Sequence, residues 1–149
     1  MSDNWLFFVP ADPGWRPRQD DAELALGFLR NVLLSADEFA AHYYEKPTLV
    51  HPFANWSGVS CPSCGADAEE AWYEGLEKLD SMCALDELNI VVGCCGVRTS
   101  LNDFAFGWPT AFGRFALEIM NPARDTSPTE ERDLSGILGC DLRKVWRHL

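Results

Sequence analysis

The run FALEIMNPARDTSPTEERDLSGILGCDLRKVWR, residues 115–147, decides the fold class of this chain. Phe115-Ala116-Leu117-Glu118-Ile119-Met120 alternates loosely, as a strand does, and Asn121-Pro122-Ala123 breaks it. Ser127 then offers an N-cap, Pro128 sits where a helix tolerates a missing N–H, and Glu130 places acid in the first turn. Leu134, Ile137 and Leu138 mark one buried stripe, and Gly139 has the conformational freedom that ends a helix. Leu142-Arg143-Lys144-Val145-Trp146-Arg147 alternates apolar with basic residues, which predicts a half-exposed strand. The reading is strand, helix, strand.

The N-terminal end follows the same grammar. Trp5-Leu6-Phe7-Phe8-Val9 predicts a strand closed by the turn formers Pro10-Ala11-Asp12-Pro13-Gly14. Residues 20–34 predict an amphipathic helix, with Leu24, Phe28, Leu29, Val32 and Leu33 at helical spacing and Asp20 and Asp21 as N-cap candidates. Residues 39–44 and 48–51 read as two further extended pieces. Two strand-helix-strand units predict an α+β chain, a ferredoxin-like βαβ-βαβ sandwich with helices on one face of a mixed sheet. The 149 residues are expected to form one domain (1–149), with residues 57–101 as an insertion carrying an acidic helix from about 66 to 80 whose buried side is Trp72, Leu76 and Leu79. With 47% hydrophobic and 23% charged residues the composition is globular, and disordered or fibrous classes are excluded.

Six cysteines without an export signal point to metal or reduced thiols rather than a disulfide framework. Cys61-Pro62-Ser63-Cys64-Gly65 has zinc-knuckle spacing: two thiolates three residues apart in a tight turn converge on one ion. Gly93-Cys94-Cys95-Gly96 makes a second turn, after the strand-like run Leu88-Asn89-Ile90-Val91-Val92. The pair is similar to a zinc ribbon, but a second CxxC ending at Cys95 would need a cysteine where this chain has Val92. The expected ligands of a zinc ion are Cys61, Cys64, Cys94 and Cys95, with Cys83, His51 or water as alternatives to Cys94. A shell of four thiolates is structural, whereas three with an open position would be catalytic.

Charge selects the partners. A formal net charge of −11 disfavours nucleic acid and anionic lipid and suits a basic protein. The acid concentrates in Asp67, Glu69, Glu70, Glu74, Glu77, Asp80, Asp86 and Glu87. Such a run is either a solvated helix face or a docking surface, with Glu69, Glu70, Glu74 and Glu77 as the docking candidates. Trp15, Trp56 and Trp108 stand beside Pro or Gly in loops; they plug the ends of the sandwich or, if clustered, anchor a partner. No stretch is apolar enough to span a membrane and no leader is evident, so the expected compartment is the cytoplasm.

Other chemistry is thin. His42, His51 and His148 fit no HExxH spacing, and no GxxxxGK[ST] phosphate loop occurs. Asn102-Asp103 either orients a ligand near the metal or makes a side-chain-to-backbone turn. Cys83 and Cys140 read as core thiols. Taken together, NWLFFVPADPGWRP, CPSCG, CCG, SLNDFAFGWP and LGCDLRKVWRHL resemble a family of small bacterial proteins with no established activity. The resemblance covers the whole chain and implies no catalytic residue. The expected function is a non-enzymatic, acidic protein-interaction module with structural zinc, an immunity or antitoxin-type inhibitor among the options. The alternative is a zinc-dependent hydrolase or deaminase-like enzyme with an open, cysteine-ligated metal, and the lack of an H-x-E motif beside the cysteines counts against it.

Overall fold

The computed structural model describes residues 3–79 and 88–148. In chain order the elements are β1 (Asn4–Pro10), α1 (Gln19–Val32), β2 (Glu38–Val50), β3 (Val59–Ser60), α2 (Glu69–Leu79), β4 (Asn89–Val91), β5 (Arg98–Ser100), β6 (Ala105–Phe106), β7 (Ala111–Met120), α3 (Pro128–Leu138) and β8 (Leu142–His148), with a 3-10 turn at Leu101–Asp103. The fold class is α+β.

Four strands form the main sheet in the order β2-β7-β1-β8. Each neighbouring pair is antiparallel, with Leu6 opposite Ile119 on one side and opposite Trp146 on the other. The sheet is therefore not mixed, as the sequence suggested. β1 and β2 do run in the same direction, but β7 lies between them, and β1 likewise lies between β7 and β8. Each strand-helix-strand unit thus straddles one strand of the other unit.

Alternation sets the packing. Leu6 and Phe8 of β1 and Phe115, Leu117 and Ile119 of β7 face α1 and α3, meeting Ala22, Ala25, Leu29, Leu134 and Leu138 in one core. The buried stripe of α1 is Ala22, Ala25 and Leu29. Leu24, expected inside, is 64% exposed. At 3.6 residues per turn Leu24 lies about 200° around the helix from Ala22, on the side away from the buried stripe. Asp20 and Asp21 lie within the first turn of α1 rather than capping it; Arg18 holds the N-cap position without a side-chain bond. In α3 the Ser127 hydroxyl accepts from Glu130 N–H and the Glu130 carboxylate accepts from Ser127 N–H, a complete capping box. Gly139 closes that helix at φ 75°. The two extended pieces read at 39–44 and 48–51 form a single strand, β2, interrupted by a register shift between Tyr43 and Thr48 where Pro47 cannot donate.

Residues between β2 and β7 build a second core: Val59, Cys61, Trp72, Leu79, Leu88, Val92, Leu101 and Phe104 close on Phe112, which belongs to β7. Fully buried Trp72 donates its indole N–H to Leu101 C=O at 3.0 Å. Asn102, 2% exposed, joins this region to the sheet: its Oδ1 accepts from Phe112 N–H at 2.8 Å and its Nδ2 donates to Ala11 C=O at 3.4 Å. Arg143 of β8 donates to Asn102 C=O and pairs with Asp103. No described helix is long and apolar enough to cross a membrane.

Candidate functional site: four cysteines on two matching turns

Two turns with the same hydrogen bonding face one another. In the first, Gly65 N–H donates to Cys61 C=O at 3.0 Å and Cys61 N–H donates to Ala66 C=O at 2.8 Å. In the second, Gly96 N–H donates to Val92 C=O at 2.8 Å and Val92 N–H donates to Val97 C=O at 2.9 Å. Gly65 and Gly96 adopt φ of 77° and 73°, a region that L side chains enter only with strain. Val92 is therefore the positional counterpart of Cys61, and both are 2% exposed. Cys95 is the counterpart of Cys64. Cys94 occupies the place of Ser63.

This exchange of places completes the site. The sulfurs of Cys61, Cys64, Cys94 and Cys95 all lie within 4.8 Å of one another. Cys61 Sγ stands 3.7 Å from Cys95 Sγ, and Cys64 Sγ stands 3.3 Å from Cys94 Sγ. A tetrahedral ion with metal–sulfur bonds of about 2.3 Å needs sulfur–sulfur edges of about 3.8 Å, so a small adjustment suffices to hold a metal ion. Of the alternatives to Cys94, Cys83 lies outside the described residues, as do Asp80, Asp86 and Glu87 of the acidic run. His51 is elsewhere: its Nδ1 accepts from Phe53 N–H at 2.8 Å and its ring stacks on Trp56 at 5.1 Å.

The electrostatics of the four thiols differ. The Cys64 backbone N–H, aimed at the Cys61 sulfur, pulls Cys61 down to about 6. The hydrogen bond between the Cys64 and Cys94 sulfurs, together with desolvation, pushes Cys94 up to about 12. A bound metal deprotonates its thiol ligands outright, so metal binding at such a cluster releases protons. Cys140 stays apart, and burial pushes it up to about 11, so it is an inert thiol at neutral pH.

Comparison with protein-family models, curated proteins and solved structures finds no match to this chain. The remaining candidates are placed by geometry. Trp56 donates its indole N–H to Glu69 at 2.9 Å and packs at 5.1 Å on Trp72, so both Trp56 and Glu69 have partners within the fold. Trp108 donates to Trp146 C=O at 3.2 Å. Trp15 is 41% exposed. Glu70, Glu74 and Glu77 are exposed on α2. Asn102 and Asp103 make the structural contacts already described rather than any contact with the cysteines.

Two features escaped the sequence reading. A groove of about 1080 Å³ runs between α2 and β4 and ends at Cys94. On the sheet, His42 Nε2 meets Glu118 Oε2 at 2.7 Å, and the Arg147 guanidinium is held between the Phe7 and Phe53 rings at 4.5 and 4.3 Å. The strand-like run over residues 88–92 was a signal for one wall of the groove, but not for the wall it faces. Nothing in the spacing of His42 and Glu118 announced their pairing, because strand register brings them together.

Proposed function

We propose that this chain is a non-enzymatic, acidic protein-interaction module whose residues 57–101 are held by one structural zinc ion on Cys61, Cys64, Cys94 and Cys95. The observation that carries this reading is the set of four cysteine sulfurs that lie within 4.8 Å of one another. Four thiolates occupy every position of a tetrahedral ion and leave none for water or substrate. Zinc fits a soft, all-sulfur, four-coordinate site, and the paired turns support a zinc-ribbon-like insertion. The strand order β2-β7-β1-β8, with each helix crossing over one strand, supports a ferredoxin-like sandwich around it. A net charge of −11 and the exposed carboxylates of α2 favour a basic protein as partner, as in immunity or antitoxin-type inhibitors. A hydrolase or deaminase would need the open metal position that four thiolates deny.

Elemental analysis of chain purified without chelator tests the first half of this reading: one zinc per chain is expected, with X-ray absorption showing four sulfur neighbours. Three sulfurs and one oxygen would transfer support to the enzymatic reading. Capture on the tagged, zinc-loaded chain tests the second half. A stoichiometric basic protein released by raised salt is expected, and salt-indifferent capture would overturn the electrostatic account.

A further inference from the structure

The groove between α2 and β4 has three properties that together select an occupant. Asp67, just ahead of α2, and Glu70 and Glu74 on α2 are all exposed along one wall, so its charge is predominantly negative even with Lys78 at one end. Its β4 wall is a strand that pairs only with β5, so one edge of β4 is unpaired among the described residues. Within any three consecutive strand residues, at least one directs its N–H and C=O away from its partner strand. Ala71, Gly75 and Ile90 line the groove between these walls, and Val91 of β4 is 58% exposed. At about 1080 Å³ the groove stands at the upper end of the range of small-ligand sites and has room for a segment of chain.

We propose that this groove receives an extended segment of a partner protein, added as a strand to β4, with lysine or arginine at alternate positions. The proposal rests on the protein-interaction reading and names the surface and the motif. Glu70 and Glu74 are one helical turn apart, about 6 Å along the axis. Side chains on one face of a strand recur at about 6.6 Å. A basic-x-basic strand therefore matches the two carboxylates while its backbone bonds to β4 and its intervening apolar side chains meet Val91. Strand addition gives affinity through the main chain and specificity through alternate side chains.

The test uses the zinc-loaded full chain and fluorescein-labelled octapeptides alternating Lys with Val, their Glu counterparts, and Lys peptides N-methylated at alternate amides, read by anisotropy. The Lys peptide is expected to bind and the Glu peptide not to. The double variant Glu70→Gln, Glu74→Gln, confirmed folded by circular dichroism, should weaken binding roughly tenfold. Methylation should abolish binding in one of its two registers, and amide exchange should show protection of Asn89–Val91. Equal binding of the double variant, or indifference to methylation in both registers, overturns the proposal. If the double variant still captures the cellular partner in full while peptide binding fails, the groove proposal falls and the interaction module stands. Absence of any captured partner, with peptide binding intact and sensitive to the double variant, would support the groove and count against the wider interaction reading.

Discussion

At the scale of single residues, the equivalence of Val92 and Cys61 carries the sharpest prediction. Cys94→Ser removes one sulfur and should reduce zinc retention. Adding Val92→Cys to that variant places a thiol at the position Cys61 holds in the matching turn, so retention measured against a competing chelator should recover. No recovery would mean that the two turns do not present sulfur alike. The cost of losing the valine methyl is about 1 kcal/mol. Gly75 gives a second prediction at this scale. A Cβ there would stand 2.8 Å from Leu101 Cδ2, on a helix flank packed against the 3-10 turn. Gly75→Ala should therefore destabilise by about 1 to 3 kcal/mol in urea unfolding, although alanine is the better helix former.

At the scale of elements, α3 depends on its N-terminus. Arg124 grips Glu130 through both oxygens at 2.9 and 2.8 Å, and that pairing, with the Ser127 N–H, pulls Glu130 from 4.5 down to about 2. A depressed carboxyl stabilises the fold above its unfolded value and loses that contribution as pH falls through the folded one. The stability difference between the parent and Glu130→Gln should be present at pH 7, shrink below pH 4.5 and vanish near pH 2; a gap that persists at pH 2 would contradict the pairing. Ser127→Ala should cost about 1 kcal/mol in the same assay. This helix was legible in the sequence because Ser127, Pro128 and Glu130 act within one turn at its start and Gly139 acts locally at its end. The strand order was not, because nothing in Leu6 or Phe8 says that β7 and β8 lie on the two sides of β1. The four cysteines that cluster were legible in the sequence as two turns, with alternatives left open for Cys94. Spacing identified the turn at Cys61 and Cys64 and the flanking glycines the turn at Cys94 and Cys95, but the choice of Cys94 over its alternatives depends on which way the second turn projects its side chains.

At the scale of the molecule, the two cores are joined through Phe112, which sits on β7 yet packs beside Trp72 at 6.1 Å, and through Asn102. Phe112→Ala should cost about 3 to 5 kcal/mol, and calorimetry of the parent should show one transition rather than two. Separate melting of the cysteine-bearing region would refute that coupling. With a charge of −11, self-repulsion weakens the compact state, so moderate salt should raise the melting temperature of the unliganded chain. The outer strand β2 has a consequence of its own. Thirteen residues at a sheet border would ordinarily offer a long template for strand-to-strand association between copies. The irregularity between Tyr43 and Thr48, with Pro47 inside it, divides that border into two short rows of backbone donors and acceptors. Concentrated solutions of this chain should accordingly resist fibril growth, and straightening that kink by deletion would remove the protection.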